Sequence, residues 1–379
     1  MKLRVDRDAL AEAVAWAAKR LPQRPSVPVL AGTLLTVDDG QLTISGFDYQ
    51  VSSQVTIEVT GDPEGQVLVS GKLLAEIVKA LPSKPVDIAA ESSHLEITCG
   101  SARFTLPTMP VEDYPALPHM PESAGTIDAS AFAAAVAQAA VAAGKDDTLP
   151  TMTGIQMEFR GNDLALLATD RYRMAIRDLS WKPVDPEREV TVLIPAKALS
   201  ETAKALSSRG GEITIALPAD SESNVGMIGF SAGGQRTTSS VLDGQLPPLR
   251  SLLPSSFSAQ PRVNASELTA VAKRVSLVAE RNAQLRLTFD SDGLVVEAGG
   301  AEEAKASEAL ECDYDGEPVK IAFNPQYLVE GLAAIAAPVA RFSMTEPGKP
   351  VVLNGEAGEG DDSDFSGYQY MLQPLRFDS

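Results

Sequence analysis

The feature that most constrains the fold of this chain is a layout that occurs three times along it. A strand-like segment that ends in a turn lies at 42–48, 164–170 and 294–299, and a segment that opens a helix follows at 69–74, 194–199 and 323–328. Both markers recur at about a third of the chain length, which is the size of a domain and too long for a solenoid repeat. We therefore expect three similar domains in tandem, at 1–119, 126–247 and 260–379.

Two proline-rich segments separate these repeats. They lie at 115–121 and 247–261. Proline cannot continue a helix or a central strand, so the chain is expected to be extended and stiff there. Linkers of this kind set the spacing between domains.

Each repeat carries two amphipathic helices and several short strands. Helix starts are marked by the cap residues Asp6, Asp128, Asn264 and Asn324, the last of which is followed by Pro325 at the first helical position. Short β-branched stretches bounded by Gly, Asp or Asn predict antiparallel strands at 66–70, 95–106, 156–167, 189–194, 286–289 and 293–297. The predicted class of each domain is α+β, with two helices packed on antiparallel sheets.

The charge of the chain argues against a DNA-binding protein of the simplest kind. The 379 residues include 32 Lys and Arg against 51 Asp and Glu, which gives a formal net charge of −19 at pH 7. A chain this acidic is repelled by phosphate, which disfavours a basic surface that holds DNA by releasing counterions. The chain also contains no apolar run long enough to cross a membrane and no secretory leader, so we expect a cytoplasmic protein without a membrane partner.

Residues suited to catalysis or metal binding are scarce. Cys99, Cys312, His94 and His119 are the chain's only cysteines and histidines, and their spacing fits neither a metal site nor a disulfide framework. No Gly-rich phosphate loop or GxSxG motif occurs, and Asp48, Asp113 and Asp170 are interpreted as turn residues at strand ends. We expect no cofactor, no metal and no enzymatic activity.

Three separated motifs resemble one known family. The runs at 106–115, 168–175 and 370–377 are similar, in order and spacing, to those of the bacterial DNA polymerase III β subunits, the replicative sliding clamps. The resemblance covers essentially the whole chain. It implies a head-to-tail homodimer whose six domains form a closed ring around duplex DNA, with helices lining the hole. It also implies docking of the polymerase III α subunit, the clamp loader, and other polymerases and repair proteins through short peptides that often end in Leu-Phe.

The resemblance implies a hydrophobic peptide groove between the second and third domains. The residues that match it are Met152, Thr169, Arg171, Tyr172, Arg173, Met174, Pro247, Leu252, Asn324, Tyr327, Pro350, Met371, Leu372, Gln373, Pro374, Leu375 and Arg376. Met and Leu provide walls that repack around different partners, and Arg offers paired donors to peptide carbonyls. Three features depart from the family pattern. Arg171 stands where a small residue is common, Gln373 replaces an apolar residue, and two residues follow Phe377.

The resemblance also assigns residues to DNA and to the dimer seam. Basic residues on or beside the helices are expected to face DNA, namely Arg24, Lys72, Lys79, Lys145, Lys197, Lys204, Lys273, Arg274 and Arg281. The simpler interpretation is that they are ordinary solvated positions on helix surfaces. The seam is expected to join Phe104 and Leu106 to the region of Leu277, with Lys72 and Arg103 near Glu302 and Glu303 of the other chain. The acidic segment 355–367 is expected to be a flexible, solvated loop.

Two functions from different classes remain open from the sequence. The first is a non-enzymatic processivity clamp that encircles DNA. The second is an oligomeric scaffold that docks peptides and never encircles nucleic acid, which the acidic charge equally permits.

Overall fold

The structure is a computed structural model. It describes residues 1–19, 21–22, 25–61, 64–91, 93–208, 210–218, 226–278, 284–299, 304–346 and 348–376. No helix within these ranges is long and apolar enough to cross a membrane.

The three repeats share one order of elements, in which a strand and a helix are followed by a run of strands, a second helix and three closing strands. The first contains β1 Lys2–Val5, α1 Arg7–Ala18, β2 Gly32–Asp38, β3 Gln41–Phe47, β4 Val51–Glu58, β5 Thr60–Gly61, β6 Gly65–Ser70, α2 Gly71–Ala80, β7 Val86–Ala90, β8 His94–Cys99 and β9 Ala102–Met109. The second contains β10 Glu122–Asp128, α3 Ala129–Ala140, β11 Gly154–Arg160, β12 Asp163–Thr169, β13 Arg173–Ser180, β14 Lys182–Pro183, β15 Val190–Pro195, α4 Ala196–Ser207, β16 Glu212–Leu217, β17 Met227–Ala232 and β18 Gln235–Ser240. The third contains β19 Arg262–Asn264, α5 Ala265–Val275, β20 Leu285–Asp290, β21 Gly293–Ala298, β22 Ala306–Leu310, β23 Val319–Phe323, α6 Pro325–Ile335, β24 Val339–Ser343, β25 Val351–Glu356 and β26 Tyr368–Leu372.

The chain forms two compact units, and their boundary passes through the second repeat. One unit comprises Met1–Ala129 with Lys204–Val241, and the other comprises Ser130–Ala203 with Leu242–Ser379. In the first unit the strands follow the order β10-β16-β17-β18-β4-β3-β2-β6-β9-β8-β7-β1-β5, and in the second an eight-stranded sheet runs β15-β11-β12-β13-β26-β25-β24-β19 beside a four-stranded sheet β22-β21-β20-β23. Sheets therefore continue from one repeat to the next, through the β4–β18 pair in the first unit and the β13–β26 pair in the second.

The helix caps that the sequence indicates are present where the structure describes their bonds. Asp6 accepts hydrogen bonds from two amides of the first turn of α1, Asn264 does the same for α5, and Asn324 for α6. Pro325 occupies the first turn of α6, where no amide hydrogen is needed. The predicted strands are confirmed, and the stretches 95–106 and 156–167 each prove to be a hairpin of two strands.

The core of the second unit brings α6 unusually close to the eight-stranded sheet. A Cβ atom placed on Gly331 would lie 2.1 Å from Cε1 of Tyr370, so only glycine allows this approach. The Tyr370 hydroxyl donates to the Tyr327 carbonyl oxygen at 3.0 Å, and burial raises the pKa of Tyr370. These contacts position the start of α6 against β26.

Two expectations about loops are wrong in part. The segment 247–261 is not extended throughout, because Leu249–Leu252 forms a 3₁₀ turn and Leu249 is buried in an apolar cluster. The segment 355–367 does not begin as a solvated loop either. Glu356 ends β25 and accepts hydrogen bonds from Arg262 and Arg341, at 2.7 and 2.6 Å.

Both cysteines are free thiols, and burial raises the pKa of Cys312 to about 11.

Candidate functional site

The site in the second unit is built around the tight turn between β12 and β13. Asp170 accepts hydrogen bonds from the amides of Tyr172 and Arg173, both at 3.0 Å, and Thr169 Oγ1 donates to the Arg173 carbonyl oxygen at 2.8 Å. Arg171 has φ of 77°, in the left-handed region that favours glycine. Arg171 therefore holds a backbone conformation that glycine would adopt at a lower free-energy cost. Thr169 and Asp170 thus shape the turn that presents Arg171 and Tyr172 to solvent.

Arg173 is the buried polar centre of the site, with only 3% of its side chain exposed. Its Nε donates to Asp170 Oδ2 at 3.0 Å, and one of its terminal nitrogens pairs with Glu330 of α6. Its guanidinium also lies over the ring of Tyr327, 4.2 Å from the centroid. Burial on its own would raise the pKa of Glu330, but hydrogen bonds from Gln326 and Arg173 hold that pKa below its ordinary value. The pair is therefore ionised at neutral pH.

A cavity of about 520 Å³ opens beside this turn. Its lining includes five of the expected groove residues, Met152, Arg171, Tyr172, Arg173 and Tyr327. The Tyr172 and Tyr327 rings lie 6.4 Å apart, and 55% of Tyr172 is exposed. Aromatic faces, a methionine and arginine donors are suited to a peptide that carries both apolar side chains and free carbonyls.

An apolar cluster adjoins this cavity, with Met152 contributing to both. Met174 of β13 pairs in register with Met371 of β26, so the two side chains lie next to each other on one sheet face. Met174 is 2% exposed, whereas Met152 and Met371 are only partly buried. Three segments that are far apart in the sequence thus build one apolar surface.

The segment 242–253 crosses this sheet face and forms the other wall. The Leu242 amide donates to the Leu193 carbonyl oxygen at 2.7 Å, and the Leu246 amide donates to the buried side chain of Gln156 at 2.8 Å. Leu246 and Leu249 are buried in the cluster, and Leu242 and Leu253 pack against it. These four leucines were not among the expected groove residues, since Leu249 and Leu253 lie in the segment 247–261, which was interpreted as a linker, and Leu242 and Leu246 directly precede it. The sequence does carry an indication of their role, because leucine recurs every three or four residues from position 242 to position 253.

Some expected groove residues have other positions or roles. Leu372 lies on the opposite face of β26 from Met371 and is 1% exposed, so its assignment to the groove wall is wrong. Asn324 caps α6, and Thr169 stabilises the turn. The remaining expected members differ in accessibility. The exposed ones are Pro247, Leu252, Gln373 and Arg376, the half-buried ones are Pro350 and Leu375, and Pro374 is buried.

Four of the expected DNA-contacting lysines form two matching pairs. Lys72 and Lys79 are exposed on α2, and Lys197 and Lys204 are exposed on α4, the corresponding helix of the second repeat. Residues four and seven apart lie on the same face of a helix, so each lysine pair shares its face with an exposed glutamate between the two lysines, Glu76 on α2 and Glu201 on α4.

The other expected DNA contacts have different surroundings. Lys145 lines the 520 Å³ cavity, and Arg274 makes a two-point ion pair with Glu308 at 3.1 and 2.6 Å. Lys273 is exposed near the end of α5. Arg24 and Arg281 lie outside the described residues.

The expected seam residues differ in accessibility. Leu277 is 85% exposed and Phe104 is 36% exposed, but Leu106 is buried within the first unit and its side chain is not available to a partner. Arg103 and Lys72 are exposed, whereas Glu302 and Glu303 lie outside the described residues. Phe104 lies on β9 and Glu308 on β22, and β22 is an edge strand of the four-stranded sheet.

Comparison with known proteins gives one consistent family. Models of the DNA polymerase III beta subunit match residues 1–118 for the N-terminal domain, 126–248 for the central domain and 250–364 for the C-terminal domain. The beta sliding clamp of Streptomyces coelicolor is 48% identical over 376 residues, which cover 99% of each chain.

Solved structures agree with the family models. The DNA polymerase III subunit beta of Pseudomonas aeruginosa superposes with a TM-score of 0.91 at 25% identity, over 100% of both chains. The sliding clamp of the same organism bound to griselimycin superposes with a TM-score of 0.90 at 25% identity, again over 100% of both chains. The chain has three tandem clamp domains and belongs to the DNA polymerase III beta subunit family, the bacterial sliding clamps.

Proposed function

We propose that two copies of this chain close into a ring around duplex DNA and tether the replicative polymerase, the DNA polymerase III α subunit. The same ring would recruit the clamp loader, other polymerases and repair proteins through short peptides. The observation that carries this proposal is an apolar cluster in which the partly buried Met152 and Met371 pack against a buried core that includes Met174, one residue from each of three separated segments. Family membership supports it, and the proposed location is the cytoplasm.

A ring accounts for the net charge of −19. Because a closed ring holds DNA by topology, its affinity need not come from neutralising phosphates. Weak and non-specific phosphate contacts suffice and allow sliding. We assign these contacts first to the two lysine pairs, Lys72 with Lys79 and Lys197 with Lys204.

The proposed dimer seam uses the accessible members of the expected set. We retain Phe104 and Leu277, which are exposed, and leave out the buried Leu106. A head-to-tail seam joins two different surfaces of the subunit. Such contacts form a closed ring only when the rotation that relates one subunit to the next returns to the first subunit. The proposed domain bounds within each subunit remain 1–119, 126–247 and 260–379.

The proposed ligand of the groove is a short peptide with apolar side chains. Flexible methionines can repack around different sequences, and exposed Tyr172 adds a flat contact surface. A peptide of this size is expected to bind in the micromolar range, about −8 kcal/mol. Two grooves on one dimer would raise the overall affinity for a partner that engages both.

The groove is tested by combining Met174→Ala with Met371→Ala and measuring the binding of a labelled peptide that ends in Leu-Phe by fluorescence anisotropy. We expect at least about a tenfold loss of affinity, because two adjacent side chains of the apolar surface are truncated. Val184→Ala is the matched control, since it removes an exposed apolar side chain that lines neither the cluster nor the cavity. Sedimentation should show the same dimer for all variants. Unchanged peptide affinity in the double variant would contradict the site assignment.

A further inference from the structure

A second cavity, of about 460 Å³, lies on the same unit as the groove and away from the β12–β13 turn. Its floor is formed by strands β24, β25 and β26, which contribute Arg341, Asn354 and Gln369. Its walls come from two loops that carry Phe257 and Phe365. This cavity contains no residue of the 520 Å³ cavity beside the β12–β13 turn.

Strand register makes this cavity continuous with the apolar cluster. Met371 pairs with Val352 across β26 and β25, and Val352 lines the second cavity. Gln369 lies two residues before Met371 on β26 and therefore on the same sheet face. Leu253 contributes to both places, since it packs against the cluster and lines the cavity. One sheet face thus runs from Met174 through Met371 to the second cavity without interruption.

The acidic side chains of the second cavity have partners within the same unit, whereas the buried Nε of Arg341 has no hydrogen-bond partner among the described residues. Glu356 receives a hydrogen bond from each of Arg341 and Arg262, at 2.6 and 2.7 Å. Asp364 accepts a hydrogen bond from the Ser366 amide at 2.8 Å. A charged ligand side chain would therefore find little unpaired charge, whereas an apolar one would meet aromatic and aliphatic walls.

Two side-chain amides at the floor of the cavity can form further hydrogen bonds. Among the described residues, the side-chain amide of Gln369 has no hydrogen-bond partner, although it lines the cavity. Asn354 donates to the Tyr368 carbonyl oxygen at 3.3 Å and keeps its own carbonyl oxygen as an acceptor. An amide that both donates and accepts is matched to a peptide main chain. Phe257 is 37% exposed, so part of its ring is available for contact.

We infer that the groove extends past Leu253 into this second cavity, and that the cavity binds an apolar side chain in the segment flanking the docking motif of a partner peptide. The flanking side chain packs between Phe257 and Phe365, and its main chain bonds to Gln369. This inference rests on the proposed peptide-docking function. It assigns the cavity a role in specificity, because partners with the same core motif would be ranked by their flanking residues.

The test compares three labelled peptides by fluorescence anisotropy on the full-length dimer. One is a core peptide that ends in Leu-Phe, and the other two carry a leucine-containing extension at the amino or the carboxyl end. We expect one of the two extended peptides to bind about tenfold more tightly than the core peptide, the gain for burying one leucine. Phe257→Ala and, separately, Phe365→Ala should remove this gain and leave core-peptide affinity unchanged. Val184→Ala should preserve the gain.

Each other outcome has a defined meaning. If neither extension tightens binding, or if the gain survives both phenylalanine variants, the inference is wrong. A gain with an aspartate extension but not with leucine would contradict the apolar assignment. If the core peptide itself does not bind the unmodified dimer, the proposed docking function fails first and this inference fails with it. Thermal unfolding of Phe365→Ala shows whether the variant is folded, and Phe257→Ala, at a part-exposed position, provides the independent measurement.

Discussion

The guanidinium of Arg173 lies over the ring of Tyr327, with 4.2 Å between Arg173 Cζ and the ring centroid. Arg173 begins β13 in the second repeat, and Tyr327 lies in the first turn of α6 in the third. The same arginine pairs with Asp170 and Glu330. One side chain thus fixes the turn that presents Tyr172 and also the helix that presents Tyr327.

Removing this arginine should destabilise the second unit strongly. Arg173→Met leaves Asp170 and Glu330 without their buried partner, at a cost of about 3 kcal/mol in the free energy of unfolding. Denaturant unfolding measures the change. Arg250→Met is the matched control, because its partner Asp178 is half-exposed and such a pair contributes less than about 1 kcal/mol. Equal effects of the two substitutions would show that Arg173 is not the centre of the site.

Arg171→Gly should stabilise the protein slightly. Arg171 has φ of 77°, which costs a residue with a Cβ atom about 1 kcal/mol and costs glycine nothing. Part of the gain is lost to the greater freedom of glycine in the unfolded chain, so we expect a net increase of about 0.5 kcal/mol. Arg171→Ala keeps the Cβ atom and should show no gain in the same denaturant titration. An equal gain from alanine would place the effect in the lost charge and not in the backbone.

The paired lysines of α2 and α4 should account for much of the salt dependence of DNA binding. Replacing Lys72, Lys79, Lys197 and Lys204 with alanine should reduce the slope of log affinity against log salt by about one per lysine that contacts phosphate. The measurement is the affinity for short duplex DNA at several salt concentrations, starting from low salt. Lys320→Ala with Lys349→Ala is the control for net charge, since both lysines are exposed on other elements. If the control variant lowered the slope by the same amount per lysine removed, the assignment of the four helix lysines to DNA contact would be wrong.

Local features were predictable from the sequence because they depend on near neighbours. Helix caps such as Asp6 and Asn324 act within one turn, and the repeated order of elements follows from hydrophobic periodicity. The resemblance brought together Met152, Met174 and Met371 before any geometry was known. The predicted caps and strands are confirmed because each depends on a pattern that the chain carries locally.

The remaining features depend on contacts between distant segments. Leu242 and Leu253 line the groove because Gln156 and Leu193 accept hydrogen bonds from the segment 242–253 and hold it across the sheet. Leu372 faces away from the groove, because the register between β13 and β26 decides which alternate side chains of β26 face it. Glu356 belongs to β25 and not to the acidic loop, because Arg262 of β19 and Arg341 of β24 donate hydrogen bonds to its carboxylate.

The central claim is that the chain holds DNA by encircling it, and release from linearised DNA tests this most directly. The protein is loaded by a clamp loader onto nicked circular duplex DNA, washed at high salt to remove electrostatic binding, and the circle is then cut at one site. The account predicts that the protein stays on the circle through the wash and leaves once the DNA has ends. Retention on the cut DNA would contradict it and would indicate binding along the duplex, whereas failure to remain on the intact circle would contradict it and would favour a peptide-docking scaffold that never encircles nucleic acid.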